Sequence, residues 1–249
     1  MPVDDRIVLN SLSAVRRIED EFTRILEGTM RTLERQITPL LDQYRVIGAV
    51  DTALARQQLE SALMNSGYFE QTGRLLNEGY QAAIDEAQDL YLQSIGENFQ
   101  FAEVSLERLN SLKSLDLGEF TKLGDDFATT MTRTLTDLNF GAVDFNQAVQ
   151  TLQDNIDTMG NHAKTWVTTG LSGVYRESSL MLAEDNGMTE FIYKGPLDKI
   201  TRDFCRSILT GSKKLYTKEE IDNLNNGQIG SVSQFGGGFN CRHQWIGVK

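Results

Sequence analysis

Proline is the strongest local limit on helix, and this chain has only three, at Pro2, Pro39 and Pro196, so residues 40–195 run without one. Apolar residues keep helical spacing on both sides of Pro39. Leu12, Val15, Ile18, Phe22, Ile25, Leu26, Met30, Leu33 and Ile37 recur at steps of three and four, with RRIEDE and LERQ on the polar face. This predicts an amphipathic helix that ends near Pro39. Its heptad-like spacing suits docking on a partner helix, and packing within the chain is the simpler use of it. Similar series run through Leu75, Leu76, Tyr80, Ile84, Ala87, Leu90 and Tyr91, then Val104, Leu106, Leu109 and Leu112, then Phe120, Leu123, Phe127, Met131, Leu135 and Leu138. The segment from Val143 to Met159 continues with Phe145, Ala148, Leu152 and Ile156, and another helix covers 161–186. Gly67, Gly96, Gly118, Gly141 and Gly160 sit where helix stops are expected, which gives six or seven helices, antiparallel where loops are short. The aromatic and Met positions in these stripes read as core.

The pattern changes after Asn186-Gly187. TEFIYKG reads as a strand, Gly195-Pro196 as a turn, and LDKITRDFCRSILTG as a helix that buries Phe204, Cys205, Ile208 and Leu209 and is stopped by Gly211. Thr217 with Glu220 three residues on is a capping box for a second short helix, with Ile221 and Leu224 buried and Asn226-Gly227 at its end. A flexible loop then runs to Gly238, and HQWIGV is a second strand able to pair with FIYKG. The fold class expected is therefore mainly α. An elongated helical N-terminal part, residues 1–120, precedes a domain at 121–249 whose compact α+β module, 190–249, carries a short antiparallel ribbon.

Charge divides the same way. The net charge is −11, yet from residue 194 onward nine Lys or Arg face five Asp or Glu, a net of +4 that leaves −15 on residues 1–193. An acidic body of that size repels nucleic acid, whereas the small basic module can meet phosphate or an acidic protein surface, or stay solvated. No run of about 18 apolar residues is present, so no membrane-spanning helix is expected, and MPVDDRIVLN does not read as a secretory signal, which implies synthesis in the cytoplasm.

The chain has two cysteines, Cys205 and Cys241, and two histidines, His162 and His243. In an extended segment Cys241 and His243 face one way and Arg242 the other. Folding that segment back on the helix around Cys205 brings Cys205, Cys241 and His243 together. Three readings follow: buried free thiols with a hydrogen-bonded histidine; a zinc site with a fourth donor from Asp203, Asp198, His162 or water; or a Cys205–Cys241 disulfide. A thiol-dependent enzyme would use Cys205 with His243 and Asp198 or Asp203, but Cys241 and His243 share one strand, a poor arrangement for proton transfer, so the chain reads as a non-enzyme. Gly236-Gly237-Gly238 lacks the strand and Lys-Ser/Thr of a phosphate loop. Asp198 and Thr201 read as caps of the helix that follows, and Arg202 and Arg206 as its solvent or partner face.

The order Tyr193, Asp198, Thr201-Arg202, Cys205, Leu209-Thr210-Gly211 and Asn240-Cys241-Arg242-His243 resembles the C-terminal signature of the phage head morphogenesis family, minor head proteins similar to the F protein of phage Mu. The signature covers about residues 190–249, and the helix at 161–186 looks like the one that usually precedes it. The resemblance implies a minor capsid protein made in the infected cell's cytoplasm, associated with the portal protein, with major capsid or scaffold proteins and packaged DNA as further partners. Its residence would be the virion, at the capsid interior or portal vertex. Residues 1–120 would be the variable helical part that docks on the portal. A metal-stabilised binding module or toxin carrier of the same family is the alternative role.

Overall fold

The computed structural model describes residues 4–46 and 51–248. Long helices come first: α1 (Asp5–Val46), α2 (Thr52–Asn65), α3 (Tyr68–Arg74), a π turn at Leu75–Gly79, α4 (Tyr80–Ile95), α5 (Glu103–Asn139) and α6 (Phe145–Asp185). The module follows as β1 (Glu190–Lys194), α7 (Asp203–Thr210), α8 (Lys218–Asp222), α9 (Val232–Phe235) and β2 (Gln244–Val248). The expected class, a long helical part followed by an antiparallel ribbon, is what the chain adopts. No described helix is long and apolar enough to cross a membrane.

The helices are fewer and longer than their punctuation suggests. Helix α1 does not stop at Pro39 but continues to Val46. Proline removes one backbone donor and crowds the preceding turn, a cost of about 3 kcal/mol. The apolar stripe carries on beyond it, with Leu33, Ile37, Leu41 and Tyr44 all buried, and burying side chains of this kind contributes about 1.5–3 kcal/mol each. Gly118 and Gly160 likewise lie inside α5 and α6 rather than between helices. An interior glycine costs only about 1 kcal/mol, too little to break a helix held by its buried face. Gly160 also has a packing reason: a Cβ there would come within 3.3 Å of Met30 Cγ. Gly67, Gly96 and Gly141 do mark breaks, each with positive φ.

The chain forms two compact units, each built from separated stretches. One comprises Phe22–Leu75 and Leu115–Trp166. Its core holds Leu26, Leu33, Ile37, Leu59, Phe120, Phe127, Met131 and Leu152, and the Tyr68 hydroxyl donates to Phe120 O at 2.9 Å. The other comprises the stretch up to Glu21, Leu76–Ser114 and everything from Val167 on. A boundary near residue 120 falls inside α5.

In this second unit the far half of α6 is a scaffold buried on nearly every side. Strand β2 lies in the core and pairs antiparallel with β1, with Glu190 opposite Val248, Ile192 opposite Ile246 and Lys194 opposite Gln244. Phe191 also exchanges backbone hydrogen bonds with Tyr216 at 2.8 and 2.9 Å, so β1 is held on both edges. Tyr91 of α4 donates to Ser179 O of α6 at 3.0 Å and accepts from the Gly247 amide at 2.9 Å. Only glycine fits at 247, because a Cβ would lie 2.6 Å from both Ala183 Cβ and Met188 Sδ. The Thr217–Glu220 capping box forms as expected, but α8 ends at Asp222, short of Asn226-Gly227. The segment expected as a flexible loop contains α9, whose Val232 side chain is buried.

Replacing Pro39, which is exposed within α1, with alanine restores a backbone donor without disturbing the core. Urea denaturation of Pro39→Ala should show a gain of about 1–3 kcal/mol. A loss would mean that the helix does not run through this position.

Candidate functional site

The site grows out of one buried charge. Arg176, on α6, is 2% exposed and directs its guanidinium at the segment before β2. Nε–H donates to His243 O at 2.6 Å, Nη1 to Gln234 O at 2.9 Å, and Nη2 to Cys241 O. A buried guanidinium is tolerated when its donors are satisfied, and here backbone carbonyls satisfy them from three points on one segment. Beside it, Asn240 takes positive φ (54°) and its amide donates to Thr169 Oγ1 at 3.3 Å.

The bend this produces carries Cys241 and His243 inward and Arg242 outward. Cys241 and His243 precede β2 rather than lying in it, yet their side chains face together as expected, with Cys241 Sγ 3.6 Å from His243 Nδ1. Helix α7 supplies Cys205, whose Sγ lies 3.9 Å from Cys241 Sγ. The donor atoms of Cys205, Cys241 and His243 all fall within 4.8 Å of one another, and all three residues are buried. Tyr193, from β1, places its hydroxyl 3.5 Å from Cys205 Sγ and 3.4 Å from Cys241 Sγ. His243 Nε2 sits 2.9 Å from Pro196 O. A carbonyl only accepts, so in the neutral ring Nε2 carries the proton and Nδ1 presents its lone pair to the sulfurs.

Gly236 and Gly237 lie against this cluster. The Gly237 amide donates to Cys241 Sγ at 3.1 Å, and a Cβ on Gly237 would sit 2.1 Å from Cys205 Sγ. Of the two thiols Cys241 is the more acidic. Its thiolate is favoured by the hydrogen bond with Cys205, then by the Arg176 charge and the Tyr193 hydroxyl, against the penalty of burial. Cys205 is pushed up by that same hydrogen bond and by burial.

The other signature residues fasten the outside. Arg242 makes a two-pronged ion pair with Asp198, at 2.6 and 2.7 Å, which holds the Asp198 carboxyl well below the usual range. Asp198 also accepts from the Ile200 amide and from Thr201 Oγ1, each at 3.1 Å. Asp198 and Thr201 thus cap a turn before α7 and do not cap α7 itself, whose N-cap Arg202 has no side-chain cap bond. Arg202 is half-buried and donates to Gly237 O and Phe239 O, whereas Arg206 lies on the exposed face, as expected, and donates to Asp198 O. Gly211 ends α7 as expected. Asp203 and His162 are exposed, and neither is among the converging donors. Arg176 is the residue sequence reasoning passed over, although an arginine inside GLSGVYRESSLMLA, a run of mostly small and apolar residues, was the available signal.

A groove of about 260 Å³ beside the cluster is lined in part by Arg16, Glu19, Ser172, Arg176, Asn240 and His243. Burial pushes the Glu19 carboxyl up to about 7, against the opposing pull of the Ser172 hydroxyl and of Arg176 and Arg16. No protein-family model, curated protein or solved structure matches the chain.

The Glu19 shift sets a pH dependence. Between its ordinary value of 4.5 and about 7 the folded chain keeps a proton that the unfolded chain releases, so stability falls as pH rises through that window. The fall attributable to Glu19 should be on the order of 3 kcal/mol. Urea titrations of wild type and Glu19→Gln at several pH values measure it. The variant should lose that part of the slope, and identical slopes would contradict the assignment.

Proposed function

We propose that the chain is a structural minor head protein of a tailed phage, acting through protein–protein binding at the portal vertex in head assembly, DNA packaging or ejection. One observation carries this reading. The residues on which the family resemblance rests are the ones that fasten the module from β1 to β2: Asp198 with Arg242, Thr201 beneath the turn, Arg202 across to Phe239 O, and Tyr193, Cys205, Cys241 and His243 in one cluster. A signature made of mutual contacts is what a folding module requires, and a module folded around its own closing strand is suited to being carried by a helical docking part.

In this reading residues 1–120 dock on the portal protein, and the basic module faces packaged DNA or acidic surfaces of the capsid or scaffold. The acidic remainder, at −15, keeps the chain from coating nucleic acid indiscriminately. The protein works by binding and performs no turnover.

The test uses particles of the phage that encodes the chain. Mass spectrometry of mature particles and of empty shells should find the protein in at least one of them, and immobilised portal protein should retain the purified chain. Absence from both particle types, together with no retention by the portal, would refute the reading.

A further inference from the structure

We propose that Cys205, Cys241 and His243 form a structural zinc site, with the Tyr193 hydroxyl oxygen as the fourth donor. The distances carry it. A tetrahedral zinc with bonds of about 2.3 Å to sulfur and about 2.0–2.1 Å to nitrogen or oxygen sets its ligand atoms about 3.8 Å apart for two sulfurs and about 3.5–3.6 Å apart for sulfur with nitrogen or oxygen. Here the sulfurs are 3.9 Å apart, Cys241 Sγ is 3.6 Å from His243 Nδ1, and Tyr193 Oη is 3.5 and 3.4 Å from the two sulfurs. These match four of the six edges of such a tetrahedron, and since the donor atoms of Cys205, Cys241 and His243 all lie within 4.8 Å of one another, the Cys205–His243 edge closes on the ion as it binds.

The surroundings are those of a metal site as well. Pro196 O on His243 Nε2 fixes the tautomer that turns Nδ1 toward the sulfurs, and the Gly237 amide donates to Cys241 Sγ, the two kinds of outer contact that orient ligands and tune their basicity. Gly236 and Gly237 keep side chains out of the space around the sulfurs. Charge closes too: two thiolates and a Tyr193 phenolate on the dication leave one negative charge, matched by the buried Arg176 guanidinium. Binding releases the thiol and phenol protons to solvent, so affinity rises with pH. Thiolate and imidazole donors in a tetrahedron select zinc among the common cellular metals.

The inference stands apart from the assembly role, since metal content reports nothing of portal binding. The full chain, purified reduced and without chelator, should carry about one zinc per chain by elemental analysis. The metal-free chain titrated with cobalt(II) should show the thiolate charge-transfer band and strong visible bands of tetrahedral cobalt, bleached by zinc, and a chelator should lower the melting temperature. Cys205→Ser and His243→Ala should lose the metal, while Asp203→Asn should keep it; if the first two fail to fold, the wild-type titration decides. Tyr193→Phe should retain a folded module with zinc affinity lowered at least about tenfold. Unchanged affinity in that variant would overturn the fourth ligand. A folded, reduced wild-type chain that carries no zinc and stays colourless with cobalt, while mild oxidant joins Cys205 to Cys241, would overturn the site.

Discussion

The guanidinium of Arg176, buried and bonded to the carbonyls of Gln234, Cys241 and His243, is the contact on which the rest of the module depends. Taking such a charge out of water costs several kcal/mol unless every donor finds an acceptor. The segment that supplies those acceptors is therefore held to one path. That path requires the left-handed Asn240 and the glycines at 236–238, turns Cys241 and His243 inward, and delivers the chain into β2. One residue of a long helix thus fixes where a strand almost seventy positions away begins.

Beyond that point packing takes over from polar contacts. Trp245 is wholly buried between aromatic rings, with centroids 4.5 Å from Tyr193 and 5.3 Å from Tyr216, and Ile246 is buried beside it. The exposed ion pairs matter less to stability, because solvent screens them and ordering long side chains offsets much of their attraction. The Asp198–Arg242 pair at the rim orients Arg242 away from the sulfurs and fixes the turn on which Pro196 presents its carbonyl to His243. Burial holds the strand, the buried cation sets its path and turns Cys241 and His243 inward, and the surface pair fastens the turn that holds His243.

What could be read from the sequence follows this division. Apolar periodicity located the helices because burial of a stripe decides helix formation, and the scarcity of Cys and His drew attention to Cys205, Cys241 and His243. Pro39, Gly118 and Gly160 misled as punctuation because local propensity is worth only a few kcal/mol against a long buried face. The glycine run read as the end of a flexible loop, since nothing local says that two sulfurs lie against it. Arg176 stayed hidden for the same reason: its acceptors are carbonyls far along the chain, and backbone groups leave no letter in a sequence. Asp203 does not join the converging side chains because it lies on the exposed side of α7, while Cys205, two residues on, is buried.

Amide hydrogen exchange, read residue by residue across 234–247 in the wild type and in Arg176→Met, tests the central claim most directly. The Gly237 and Gly247 amides, bonded to Cys241 Sγ and the Tyr91 hydroxyl, should exchange slowly in the wild type. In the variant they should lose protection together, while amides around Leu33 and Ile37 keep theirs. Fast exchange at both glycines in the wild type, or undiminished protection in Arg176→Met, would contradict the dependence of the module on this one buried arginine.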